Sequence, residues 1–186
     1  MNERTKMTDS KDAPIPDIAF RSMKLTYKAR DLLKPRQIIL SEAPIKPGDT
    51  VLDFGCGSGS YTFIVAKIVG PKGLVVAADI HPLAITHVEN VAKSRSLNNV
   101  TVRQTNCDTD LKNDSVDVIL LFDIFHMFKD PNRILRELAR VLKPAGHLCV
   151  NDPHMPEDGL IAGITSARLF EEAHQAEHLI LFQKRV

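Results

Sequence analysis

The residues able to do chemistry in this chain stand at the ends of apolar runs. Asp53 follows Val51-Leu52, Asp79 follows Leu74 to Ala78, and Asn106-Cys107-Asp108 follows Val100 to Gln104. Asp123 closes Val116 to Phe122, the most apolar run in the chain, and Asn151-Asp152 closes a run that begins at His147. Packing alone does not explain acids and amides at these points, because a carboxylate costs free energy at the edge of a core unless it is partnered. In open α/β sheets ligands bind beyond the carboxyl ends of the strands, near the point where strand order reverses.

The stretch Val51-Leu52-Asp53-Phe54-Gly55-Cys56-Gly57-Ser58-Gly59 narrows the ligand. It reads as a buried strand entering a glycine turn, with a helix opening at Ser60. Glycines at 55, 57 and 59 let the backbone turn sharply and approach a ligand closely. A dinucleotide fingerprint would need its third glycine at position 60, which is Ser60. Asp53 at the strand end would repel a pyrophosphate in the adjoining turn and attract a ligand carrying an ammonium and a sulfonium. S-adenosylmethionine (SAM) is such a ligand. Asp79, twenty residues after Gly59, is placed to accept hydrogen bonds from two ribose hydroxyls; as a good N-cap residue it has a second reading, capping the helix at Pro82.

Methyl transfer is an in-line displacement, so the enzyme mainly positions the acceptor and, where needed, removes its proton. Asp123, His126 and His154 are the candidate bases, near the rim after two adjacent strands. Each histidine taken alone also reads as a solvated or capping residue. Asp123, His126, Asp152 and His154 together have a divalent-metal reading of the catechol-orienting kind, but their spacing establishes no shared coordination shell, and no metal is expected. Cys56, Cys107 and Cys149 are too scattered for the cooperating thiols of arsenite methylation or for zinc, and they fit reduced thiols in the cytoplasm.

The elements that position these residues follow from periodicity. Residues Met1 to Pro16 form a loose polar tail. From Asp17 the residues Ile18, Phe20, Met23, Leu25 and Tyr27 alternate with basic ones in short amphipathic helical turns. That segment either packs on the surface or, over 17–44, forms a lid with Met23 and Tyr27, beside Asp123, facing a substrate pocket. A helix follows Pro35 and ends before Pro44. Further helices are expected over Ser60 to Val69, Pro82 to Ser94, Asn132 to Leu142 and Gly159 to Ser166, with the third stopped by Lys143-Pro144-Ala145-Gly146. Strands are expected at Leu74 to Ala78, Val100 to Gln104, Val116 to Phe122 and His147 to Asn151. Arg168 to Gln175 and His178 to Gln183 form a closing antiparallel pair. The alternation predicts a doubly wound, mostly parallel sheet with helices on both faces.

At 186 residues, 44% hydrophobic and 25% charged, the chain suits a single folded domain. A net charge of +1 creates no field that favours nucleic acid, and no apolar run reaches membrane-spanning length.

The ordered motifs VLDFGCGSG, VVAADI, NCD, VDVILLFD and LKPAGHLCV resemble the class I SAM-dependent methyltransferase family. More narrowly, they are similar to its small-molecule branch of ubiquinone- and menaquinone-biosynthesis enzymes. The resemblance runs from about Leu32 to the C-terminus and implies a Rossmann-like seven-stranded sheet whose last strand is antiparallel. It implies that Gly55 and Gly57, with Cys56 between them, lie against the methionine part of SAM, and that Asp53 acts on its ammonium. Asp79 would bind the ribose and Ile80 would lie against the adenine. Where the family presents Gly-Asp, this chain has Asn106-Cys107-Asp108, leaving the adenine contact between Asp108 and a Cys107 backbone group. The expected function is SAM-dependent methylation of a small-molecule acceptor. A catalytically silent SAM-binding regulator or assembly protein is the alternative, and turnover separates the two.

Overall fold

The computed structural model describes Pro14, Pro16, Asp17 and residues 36–185. The expectations for Met23 and Tyr27 lie outside the described residues. Helix α1 (Arg36–Glu42) precedes strand β1 (Thr50–Phe54) and helix α2 (Thr62–Val69). Strand β2 (Leu74–Asp79), helix α3 (Pro82–Ser94) and strand β3 (Val100–Gln104) follow. Next come β4 (Val116–Phe122), a 3₁₀ turn at Phe125–Met127, α4 (Pro131–Val141) and β5 (Leu142–Asn151). Helix α5 (Glu157–Thr165) and strands β6 (Phe170–Gln175) and β7 (Ile180–Lys184) close the chain.

The seven strands lie in the order β3-β2-β1-β4-β5-β7-β6. The first five run parallel, and β7 runs antiparallel to both of its neighbours. Chain direction across the sheet reverses between β1 and β4, so the switch point lies beside the glycine turn. Side-chain alternation sets two large core clusters on opposite faces of the sheet, and a smaller third one joins Ala77 to Val88 and Ala92 of α3. Leu52, Phe54, Ile119, Leu121 and Leu148 meet α4 and α5 through Leu135, Leu138 and Ile164. Val51, Val118, Leu120 and Cys149 meet α1 and α2 through Leu40, Val65 and Val69. Asp53 shares the parity of Val51 and therefore stands on the α2 face.

Several boundaries differ from the sequence reading: the last helix runs Glu157–Thr165, not Gly159 to Ser166, the closing strands begin at Phe170 and Ile180, and three others have a clear cause. Helix α2 starts at Thr62 rather than Ser60, because Ser58 and Ser60 belong to the turn, their hydroxyls 2.9 Å apart. Lys143-Pro144-Ala145-Gly146 does not separate helix from strand, since β5 begins at Leu142, which pairs with Val116 across an irregular register. That course is held by Lys143 Nζ, 2.6 Å from Asp117 Oδ1, and by a glycine at 146, where a Cβ would stand 2.8 Å from the Asp117 carbonyl. Helix α4 starts one residue early, with Pro131 in its first turn and the Asp130 carboxylate accepting from the Arg133 amide at 3.0 Å.

Two polar clusters fasten the connections to this frame. Glu42, ending α1, accepts from both the backbone amide (2.8 Å) and Nδ1 (2.6 Å) of His178 in the β6–β7 turn. Buried Glu137 accepts from the Thr109 amide and hydroxyl at 2.9 and 2.6 Å and from Arg140 at 2.7 Å, tying the β3–β4 connection to α4. Burial would raise the Glu137 pKa, but these donors hold it below the usual glutamate value. Its stabilisation is therefore complete above about pH 4.5 and is lost as pH falls through the lowered folded value. Glu137→Ala should cost roughly 2–4 kcal/mol near neutrality by stranding the Thr109 donors. Urea melts should show the gap between variant and parent closing in acid.

Candidate functional site

The glycine turn is held by β2. The amides of Gly55 and Cys56 both donate to the Ala78 carbonyl, at 2.8 and 3.0 Å, so the chain leaves β1 across the end of its neighbour. Gly55 has φ +81°, and a Cβ there would stand 2.8 Å from Ile124 Cγ1. The absent side chain thus lets the loop after β4 pack against the turn. Gly57 has φ +52° with nothing within 4 Å of its Cβ position, which leaves backbone open to a ligand.

Two carboxylates frame this turn. Asp79 accepts from the Gly57 amide at 2.8 Å with one oxygen and from the His81 amide at 2.7 Å with the other. It does not cap α3; that role belongs to His81, whose Nδ1 accepts from the Leu83 amide at 3.2 Å. Burial raises the Asp79 pKa, and the two amide bonds oppose the rise. Asp53 is 3% exposed and accepts from the Thr62 hydroxyl at 2.5 Å. Burial pushes its pKa up to about 6, against the Thr62 bond and the attraction of Arg36 and with added repulsion from Asp79.

A largely apolar cavity opens beside the turn. Gly55, Asp79, Ile80 and Asn106 line one side. Ile124, Met127, Phe128 and Lys129, from the loop after β4, line the other. That loop wall was not singled out in the sequence, although the apolar Ile-Phe-His-Met-Phe run directly after a strand-end aspartate signals it. Within the Asn106-Cys107-Asp108 stretch only Asn106 reaches the cavity. Cys107 is buried in the core, its Sγ 3.6 Å from the Arg133 carbonyl, and exposed Asp108 lies 3.9 Å from the Arg133 guanidinium.

The cavity fits SAM in its chemistry. Its lining holds a carboxylate in Asp79 and an apolar face in Ile80, and the open backbone of Gly57 lies in the adjoining turn. Asp53 is buried and lies outside the cavity lining. Cys56, Cys107 and Cys149 are buried in three separate core clusters, and burial raises all three thiols.

On the other side of the switch point, His126, Asp152 and His154 come together. His126 Nδ1 lies 2.8 and 3.0 Å from the two Asp152 oxygens, and the ring centroids of His126 and His154 are 4.5 Å apart. Asp123 is nearby in sequence but is distinguished by its backbone: φ is +56°, and its amide donates to the Asn151 carbonyl at 2.8 Å. Among the described residues these four do not meet metal-ligand spacing; Glu42, Glu177 and His178 do. The Glu42–His178 bonds account for that second group without an ion.

Residues 45–181 match the family model described as a methyltransferase domain. The chain is 34% identical over 112 residues to an arsenite methyltransferase of Halobacterium salinarum, covering 59% of this chain and 28% of that protein. It is also 34% identical over 120 residues to a 2-phytyl-1,4-naphtoquinone methyltransferase of Synechococcus elongatus, covering 62% and 51%. The chain therefore spans about half or less of the length of these curated relatives. A solved SAM-dependent methyltransferase from Aquifex aeolicus superposes with TM-score 0.80 at 25% identity, covering 93% of this chain and all of that one. The glycine turn, the strand-end acids and the matched family model converge: this chain belongs to the methyltransferase domain family, with a Rossmann-like fold and SAM as cofactor.

Proposed function

We propose that the protein transfers the methyl group of SAM to a small-molecule acceptor. The observation that carries this reading is Asp79, a half-buried carboxylate that holds the glycine turn through the Gly57 amide and also lines the cavity. The quinone-type relative favours a small aromatic acceptor, in keeping with the apolar wall of Ile124, Met127 and Phe128. The arsenite reading is disfavoured by three thiols buried in separate clusters. These free thiols also suit a reducing compartment such as the cytoplasm. No helix among the described residues is long and apolar enough to cross a membrane.

The N-terminal segment is proposed as a cover for the cofactor. Asp17 Oδ1 lies 3.5 Å from His81 Nε2, and Pro14 lines a hollow with Ile80 and Asn106. Ile80 and Asn106, which line that hollow, also line the cavity.

SAM and S-adenosylhomocysteine should raise the melting temperature and NAD and NADP should not. Stabilisation by the nicotinamide cofactors alone would overturn the reading, and SAM binding without turnover on any acceptor would favour a regulator. Asp79→Ala should weaken SAM by about 1–3 kcal/mol in calorimetric titration, through loss of charge-assisted bonds.

Asp53 gives a pH test. Its folded pKa of about 6 lies above the ordinary 3.8, so its ionised form penalises the unliganded fold above pH 6, and the penalty fades as pH falls toward 3.8. Asp53→Asn should raise unliganded stability at pH 7.5 by roughly 1–3 kcal/mol while weakening SAM. SAM affinity of the parent should fall as pH drops through about 6, and the variant should be flat over that range.

A further inference from the structure

The loop after β4 faces two ways. Ile124, Met127 and Phe128 wall the cofactor cavity, and Ile124 fills the space beside Gly55. His126, in the same turn, reaches across to Asp152 at the carboxyl end of β5. The Asp152 side chain is 0% exposed and that of His126 is 30% exposed, so a buried carboxylate anchors a ring that still reaches solvent. Asp152 also accepts from the His126 amide at 3.0 Å and the His154 amide at 3.1 Å. Burial would raise its pKa, but these donors bring it below the usual aspartate value, and it stays ionised at neutral pH.

An ionised carboxylate has only acceptor sites, so a neutral His126 carries its proton on Nδ1 and leaves the Nε2 lone pair available. The His154 ring, tilted 46° against it, limits the ring's rotation. The adjacency of β4 and β5 sets the geometry, with Phe122 in register with Asn151.

We propose that His126 is the base that takes the proton from a phenolic acceptor and that Asp152 is its positioning residue. This rests on the methyltransferase reading above and adds the acceptor class. A phenolic hydroxyl is close enough in acidity to an imidazolium for proton transfer to imidazole, and an aliphatic alcohol is not. Met127 and Phe128, which follow His126 in the same turn and line the cavity, offer the apolar and aromatic contacts that a planar ring uses. In the step, His126 Nε2 accepts the hydroxyl proton as an oxygen electron pair forms the bond to the methyl carbon. The carbon–sulfur pair stays with sulfur, giving a neutral thioether, and the imidazolium returns its proton to solvent.

Nitrogen-15 NMR of the full chain should show His126 as the Nδ1–H tautomer, and Asp152→Asn should release that preference. With S-adenosylhomocysteine bound, p-nitrophenol should develop its phenolate absorbance at a pH below its solution pKa, and His126→Gln should abolish the effect. Because His126 is partly exposed, that variant should keep its melting temperature and its S-adenosylhomocysteine-induced shift. With SAM and a panel of phenols, His126→Gln should lower kcat by about 10²–10⁴-fold. A His126 protonated on Nε2, no phenolate absorbance in the parent, equal absorbance in the variant, or no methylation of any phenol would each overturn the proposal. The thermal shift is read on the same samples, so a failure of SAM-site binding is seen separately.

Discussion

The carboxylate of Asp79 ties together two turns that the Gly55 and Cys56 amides already join through the Ala78 carbonyl. One oxygen holds the Gly57 amide of the turn after β1, and the other holds the His81 amide of the turn after β2. With both amides bound, the Gly57 backbone keeps its open face, and His81 is placed to cap α3. A carboxylate oxygen has more than one acceptor site, so this structural use leaves capacity for ligand hydroxyls. Anchoring of the turn and lining of the cavity therefore fall on one residue, and the cavity beside it inherits the rigidity of the β1–β2 pair.

The same type of side chain is driven in opposite directions across the site. Asp53, fully enclosed and bonded to the Thr62 hydroxyl, has its pKa lifted to about 6. Asp152 is less deeply desolvated and receives two backbone amides and a ring nitrogen, which hold its pKa down. Deeper burial with few donors lifts one carboxyl, and shallower burial with several donors lowers the other. The two lie on opposite sides of the switch point, one at the end of β1 and one just beyond β5.

The loop from Asp123 to Lys129 joins these halves. It leaves β4 through a non-glycine residue with positive φ, a conformation that costs of order 1 kcal/mol and needs support from its surroundings. Here the Asp123 amide is bound by Asn151, and Ile124 is seated against Gly55. The cavity wall and the histidine that meets Asp152 therefore come from a single turn whose position depends on both neighbouring strands.

The sequence by itself determined the strands, their apolar faces and the acids at their ends, because these depend on local alternation and on where an apolar run stops. Asp53, the open glycine at 57 and Asp79 beside the cavity were legible for that reason, and strands β3 and β4 were legible to the residue. Only the tertiary structure decided what reaches across elements. That His81 rather than Asp79 caps α3 depends on Asp79 being claimed by Gly57, from another turn. That Asn106 faces the cavity while Cys107 enters the core depends on where α4 packs. The start of β5 at Leu142 required Asp117 and Val116 alongside it. The pairing of His126 with Asp152, twenty-six residues apart, exists because β4 and β5 are neighbours in the sheet. Periodicity reports the face on which a side chain stands, but the partner standing there is set by strand order and register.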